Sequence, residues 1–167
     1  MYAKETTCCF TGHRLSRLPW RSNEADPRCS KLKTTLFDTV EAVYHAGIRH
    51  YICGMATGSD LFFCEAVLAL RERHPDITLE AAIPCPEQAD RWPEALQQRY
   101  AKLLSQCDVQ TLVAKSYTPD CMRKRNQYMV DQSSVLIAVY GGSQRSGTFS
   151  TMLYAVRQGL ELIEIAP

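Results

Sequence analysis

Three short apolar runs in this sequence end in small, polar residues of the kind that hold phosphate. Val135 to Tyr140 is followed by Gly141-Gly142-Ser143-Gln144-Arg145-Ser146-Gly147-Thr148 and then by an apolar-periodic stretch to Gly159. A β-branched and aromatic run, a glycine loop and a helix describe a strand that empties into a helix N-terminus. The unpaired backbone N–H groups there attract anions. Gly141, Gly142 and Gly147 lack a Cβ, so the backbone can approach a phosphate, and Ser146 or Thr148 can cap the helix or donate a hydroxyl. A second loop, Gly54-Met55-Ala56-Thr57-Gly58-Ser59-Asp60, follows another strand, and a third strand ends in Thr11-Gly12-His13-Arg14. Three such strand ends point to one nucleotide-like small molecule.

The individual residues carry different weight. The Gly54 to Asp60 loop is not the Gly-x-Gly-x-x-Gly fingerprint and lacks the Walker lysine, so neither an ordinary dinucleotide site nor a P-loop follows from it. Asp60 reads as a ligand contact or as a first-turn carboxylate that stabilises its helix dipole by about 0.3–1 kcal/mol. Arg14 is the better anion contact of its pair, because a guanidinium holds phosphate bidentately; His13 alone reads as a packed or solvated residue. Arg125 and Asn126 stand on the helix before the fifth strand. Successive residues on a helix point about 100° apart, so only one of the two is expected to face the ligand, and the adjacent Arg123 and Lys124 read as a solvated face. The basic segment from Arg14 to Lys33 is either another solvated face or a rim that collects anions.

Those loops need a scaffold, and the rest of the chain describes one. Strands are expected at residues 7–11, 50–53, 77–83, 109–113, 135–140 and 162–165. Helical periodicity appears in Leu32, Leu36, Val40 and Val43, closed by Gly47, and again in residues 59–73, from Trp92 to Leu104, from Met122 to Asp131, and from Met152 to Gly159. The third strand stops at Pro84-Cys85-Pro86, since neither proline can donate to a ladder. Alternating strands and helices make a three-layer α/β fold with helices on both faces of a parallel sheet. The expected strand order is 3-2-1-4-5 with the sixth strand added at the edge after the fifth, and the ends of strands one and four flanking the crevice.

Bulk composition narrows the class. The 167 residues, 46% hydrophobic, suffice for one domain over residues 1–167 that buries about 70% of its unfolded surface. Nineteen Lys and Arg against 18 Asp and Glu leave a net charge of +1, which gives no reason to expect nucleic acid or an anionic membrane as a partner. The N-terminal residues hold no long apolar core, so neither a secretory signal nor an anchor is read there and a cytoplasmic protein is expected. Cys8, Cys9, Cys53, Cys64 and Cys107 sit within or beside apolar runs and read as reduced core residues. No Cys-x-x-Cys or His-x-x-x-His spacing occurs and the four histidines are isolated, so neither a metal nor another cofactor is expected. Association with further copies of the chain stays open.

Taken together, these residues resemble the YpsA-like family of the SLOG superfamily, Rossmann-like proteins related to the LONELY GUY (LOG) hydrolases and to DprA. The likeness is carried by Thr11-Gly12-His13-Arg14, the Gly54 to Asp60 loop, Pro84, Arg125-Asn126 with Met129-Val130-Asp131, the strand Ile137 to Tyr140, and Gly147-Thr148 followed by Tyr154-Ala155. It implies a Rossmann-like sheet that binds nucleotides or nucleotide-derived ligands, with phosphate at the glycine-threonine loop. LOG-type enzymes cleave the base from a nucleoside monophosphate. They carry an arginine in a Met-x-x-Arg-Lys-like helix, and Met122-Arg123-Lys124-Arg125-Asn126 is similar to it, with Asn126 where lysine is usual; Arg125 inherits the ligand contact. Those enzymes also carry a glutamate three residues after the Gly-Thr pair, and here Thr151 takes its place. Asp60 and Glu65 are the carboxylates left to substitute, with Asp60 and Arg125 the tentative catalytic pair. The resulting expectation is a binder or sensor of an ADP-ribose or AMP-like molecule; the alternatives are a LOG-like phosphoribohydrolase and a DprA-like single-strand DNA binder.

Overall fold

The computed structural model describes all residues 1–167 and contains six parallel strands in one sheet. In chain order the elements are β1 (Thr7–Gly12), α1 (Pro27–His45), β2 (His50–Cys53), α2 (Ser59–Arg71), β3 (Thr78–Ile83), α3 (Glu94–Ser105), β4 (Val109–Leu112), α4 (Cys121–Asp131), β5 (Val135–Val139), α5 (Gly147–Arg157) and β6 (Glu161–Ile165). Local chemistry accounts for the ends of the first helix. Pro27 sits at its start, where a missing N–H costs nothing, and the Asp26 side chain accepts from the Arg28 N–H. Gly47, just past the end, has φ +114°, a conformation that favours glycine.

Strand order corrects the expectation in one respect. The sheet reads β4-β3-β2-β1-β5-β6, so the fourth strand lies at the far edge beside β3, and β5 takes the place beside β1. The sequences of the two strands explain why. Val135-Leu-Ile-Ala-Val139 is buried along its whole length and needs cover on both faces. Val109-Gln-Thr-Leu112 alternates half-buried with exposed residues and can live at an edge. The Rossmann-like α/β class stands; the strand ends that flank the crevice are those of β1 and β5.

Two cores hold the sheet. The larger, of 29 buried residues, lies where α1, α2 and α3 cover one face and includes Phe10, Leu36, Tyr51, Phe63 and Leu79; Phe10 and Phe63 stack with centroids 4.6 Å apart. The smaller, of 10, lies under α4 and α5 around Met129, Leu136 and Ala155. This asymmetry places the well-anchored α2 on one side of the β1 end and the lighter α4–α5 pair on the other. All eight cysteines are free thiols, seven of them buried and Cys107 half-buried. No helix is long and apolar enough to cross a membrane.

Candidate functional site

Parallel pairing brings the first and third of the expected loops side by side. Gly12 lies opposite Val139 in the ladder, and the His13 N–H donates to the Val139 carbonyl at 3.2 Å. The chain leaving β1 therefore runs next to the chain leaving β5, and a cavity of about 230 Å³ opens between them. Its walls include Thr11, Gly12, His13, Arg14, Ala56, Asp60, Arg125, Asn126, Ser146, Gly147 and Thr148. Gly54, Thr57, Gly58, Gly141 and Gly142 do not line it.

Gly147 and Thr148 begin α5, and their backbone N–H groups have no acceptor within the chain. Ser146 caps the helix, its hydroxyl accepting from the Phe149 N–H at 3.1 Å. A Cβ added to Gly147 would meet nothing within 4 Å, so this end of α5 faces open space. Gly142 has φ +94° and shapes the turn that leads there. Gly141 is tied inward, donating its N–H to His13 Nε2 at 2.8 Å.

That bond fixes the state of His13. A ring nitrogen that accepts from a backbone N–H carries no proton, so the neutral ring holds its proton on Nδ1. Burial, aided by the charge of Arg17, lowers the pKa of the ring and keeps it neutral. His13 is 4% exposed and its Nδ1 has no partner.

Arg125 is 3% exposed and forms no ion pair. Its Nη1 donates to the Gly54 carbonyl and to Gln88 Oε1 at 3.4 Å, and its Nε donates to Asn126 Oδ1 at 2.8 Å. Nη2 reaches only the thioether of Met122 at 3.8 Å, and a guanidinium nitrogen of Arg14 approaches the same sulfur at 3.7 Å. Sulfur is a weak acceptor. Two cations thus converge on one poor partner, and burial together with the charge of Arg14 lowers the pKa of Arg125, opposed by Asp60. A phosphate oxygen would answer both guanidinium groups far better.

The bond between Arg125 and Asn126 also corrects the expectation that only one of them faces the cavity. Both line it, because the arginine folds back far enough for its Nε to meet the neighbouring amide. A Cβ at Gly54 would lie 2.6 Å from Arg125 Nη1, so a larger residue there would displace the guanidinium. Gln88 was missed from sequence: nothing in its Pro-rich surroundings signals that it would hold the Gly54 carbonyl (3.3 Å) and Arg125 together. Met122 opens the helical period that runs to Asp131, and nothing in that pattern marks its sulfur as an arginine contact. Arg17, inside the basic segment, lines the cavity and reaches Ser143 Oγ at 3.2 Å. The basic segment therefore divides: Arg14 and Arg17 face the cavity, whereas Arg28 and Lys33 pair with Asp26 and Glu24.

Asp60 and the second glycine loop do different work. Asp60 is 5% exposed and its Oδ2 accepts from the Ala56 N–H at 3.0 Å. Burial raises its pKa; the nearby Arg125 opposes the shift. Gly58 has φ +83° and packs under the His13–Leu15 backbone. The Ser59 N–H and hydroxyl both donate to the His13 carbonyl, at 3.2 and 2.6 Å, so the chain leaving β1 plugs the start of α2. Thr151 lies one turn into α5 with its hydroxyl donating to the Gly147 carbonyl at 2.9 Å, and it does not line the cavity.

The model of the YspA SLOG family (YpsA) matches residues 8–161. The chain belongs to this family. Among its relatives, the uncharacterized SPbeta prophage-derived protein YoqJ of Bacillus subtilis (strain 168) is 32% identical over 143 residues, covering 78% of this chain and 83% of that protein. A UPF0398 protein, BH1768 of Halalkalibacterium halodurans, is 28% identical over 111 residues, 65% of this chain and 59% of its own length. Two solved structures share the fold. DNA processing protein A from Helicobacter pylori, described in terms of single-stranded DNA binding, superposes with a TM-score of 0.65 at 15% identity and 96% coverage of this chain. Its counterpart from Streptococcus pneumoniae gives 0.63, also at 15% identity and 96% coverage. This chain spans 65% and 50% of those two proteins.

Proposed function

We propose that this SLOG-family chain binds a phosphate-bearing, nucleotide-derived small molecule of the ADP-ribose or AMP type between the ends of β1 and β5, and that it works by binding rather than by cleavage. The observation that carries the reading is the convergence of Arg14 and Arg125 on the Met122 thioether, in a cavity that also holds the open N-terminus of α5. A buried cation that forms no ion pair is costly unless an anion completes it, and Asp60 acts on Arg125 only through its field. The α5 N–H groups supply the second half of such a site.

The hydrolase alternative lacks its carboxylate. Thr151 stands where LOG-type enzymes place glutamate and directs its hydroxyl to the Gly147 carbonyl, so it can neither stabilise an oxocarbenium-like centre nor activate water. Glu65 pairs with Arg99 at 2.7 Å and does not line the cavity, which leaves Asp60, and that is engaged with the Ala56 N–H. The fold likeness to DNA processing protein A, whose Helicobacter pylori form is described in terms of single-stranded DNA binding, favours a different second reading, and it weighs against excluding nucleic acid on net charge alone. Arg14 and Arg17, free of acidic partners, are what a strand of phosphates would seek.

Calorimetry with inorganic phosphate, AMP, ADP-ribose and an oligothymidylate tests these readings together. Binding of the small phosphates is expected, and Gly147→Asp, which puts a carboxylate into the open space before α5, abolishes it while circular dichroism stays unchanged. Unaltered affinity in a folded Gly147→Asp protein overturns the site. Salt-dependent oligonucleotide binding much tighter than AMP transfers the reading to DNA. Release of free adenine that is lost on Asp60→Asn restores the enzyme.

A further inference from the structure

The anion cavity, at about 230 Å³, is smaller than the roughly 300–1,000 Å³ of ordinary small-molecule sites. It can take a phosphate and part of a sugar, and the rest of a nucleotide must lie elsewhere. A groove of about 530 Å³ runs between α4 and α5, and it shares Met122, Asn126 and Gly147 with the anion cavity. The two spaces therefore meet at the residue that opens α5. A second neighbour, of about 510 Å³ and carrying Trp92 and Tyr117, touches the cavity only at Met122 and does not reach Gly147, before which the phosphate would lie.

We infer that the α4–α5 groove is the base subsite of this protein, so that its ligand is a nucleoside phosphate whose phosphate sits before α5 and whose base lies between the two helices. The inference rests on the anion-site reading above. The groove has the composition a heterocycle needs. Leu153, 42% exposed, and the Met122 side chain give apolar walls, and Tyr154 adds a ring that is held in place by its hydroxyl donating to Asp131 Oδ1 at 2.7 Å. Flat bases gain by contact with such surfaces whatever their sequence identity. Hydrogen bonding then selects among them. Asn126 uses its Oδ1 on Arg125 Nε, which leaves its NH2 to donate at the junction of the two spaces, and Gln127 lines the groove one position further along. Asn126 thus links the two halves of the ligand: its oxygen orients the phosphate-binding arginine and its amide NH2 faces the connection to the base.

The test compares ribose 5-phosphate with AMP, GMP, CMP and UMP by calorimetry on the wild-type protein and on Ser150→Trp and Leu153→Ala. Ser150 lines the groove and not the anion cavity, so a tryptophan there fills the base subsite and leaves the phosphate site alone. At least one nucleotide is expected to bind roughly tenfold tighter than ribose 5-phosphate. Ser150→Trp should remove that advantage while ribose 5-phosphate binds as before, and Leu153→Ala, an exposed truncation that leaves the fold intact, should reduce it in part. Equal binding of ribose 5-phosphate and all four nucleotides to the wild type overturns the base subsite but leaves the anion site standing. The base subsite is likewise overturned, with the anion site intact, if folded Ser150→Trp and Leu153→Ala both keep the full advantage. Failure of every ligand, ribose 5-phosphate included, to bind the wild type removes the anion site and the base subsite together.

Discussion

The starts of α2 and α5 look alike in sequence, each a glycine loop with neighbouring hydroxyls that leads from a strand into a helix, yet one is plugged and the other open. At α2 the His13 carbonyl takes both the N–H and the hydroxyl of Ser59, the Gly58 carbonyl accepts from Leu61 and Phe62, and Asp60 closes the loop onto Ala56. At α5 the Ser146 hydroxyl takes the Phe149 N–H and its carbonyl the Ser150 N–H, while both Gly147 and Thr148 keep theirs free, where at α2 only Asp60 does. What differs is the neighbour. The chain leaving β1 crosses over α2, where glycine is the one residue that fits beneath it, and passes beside α5 without covering it. Glycine at α2 serves packing, and glycine at α5 serves access.

The sharpest way to break this contrast is a matched pair of alanine substitutions. A Cβ on Gly58 would lie 2.7 Å from the Leu15 backbone nitrogen at φ +83°, so Gly58→Ala should cost about 3 kcal/mol or more. A Cβ on Gly147 meets nothing, so Gly147→Ala should leave stability within about 1 kcal/mol of the original or raise it. Urea denaturation of the two variants measures both. Equal losses would mean that the two loops are the same kind of turn.

Arg125→Met sharpens the functional side. The methionine fills much of the same volume, and the Gly54 carbonyl keeps its bond from Gln88 Nε2. Removing a buried cation that forms no ion pair relieves its desolvation while Asp60 loses a favourable neighbouring charge, so the melting temperature should change little. Phosphate binding should weaken by about 1.5–3 kcal/mol, roughly 10- to 150-fold. A large loss of stability with ligand affinity intact would recast Arg125 as a structural strut.

A smaller effect should appear with pH. Burial and Arg17 hold the pKa of His13 below its ordinary value of 6.5, so between that value and the folded pKa the unfolded chain binds more protons than the native one. Stability therefore rises with pH in this window; the contribution is complete above about 6.5 and declines as the solution is acidified. Protonation would also replace the acceptor of the Gly141 N–H by a donor. Chemical denaturation from pH 7.5 to 5 should show this slope, and His13→Gln should flatten it; a slope identical in both proteins would assign it to other groups.

Much of the scaffold was legible because strand and helix periods alternate cleanly: β2 and α4 fall within a residue of their expected bounds. Strand order was misjudged because adjacency in a parallel sheet depends on which strands need two covered faces, a signal present in Val135 to Val139 and absent in Val109 to Leu112 but outweighed by chain order. The site was legible where glycine and hydroxyl residues fall at strand ends. It was illegible where function depends on reach across the cleft. Arg125 meets Gly54 over a separation of 71 residues, and Gln88 meets Arg125 over 37; neither pairing leaves a local pattern. Likewise, nothing in the Gly54 to Asp60 sequence records that His13 would plug it.

Amide chemical shifts on titration with AMP test the contrast most directly. The account predicts that the Gly147 and Thr148 N–H resonances move saturably with ligand, while those of Ser59, Leu61 and Phe62, whose N–H groups are already bonded within the chain, stay in place. Movement centred on Ser59 to Phe62, with Gly147 and Thr148 unaffected, would contradict it.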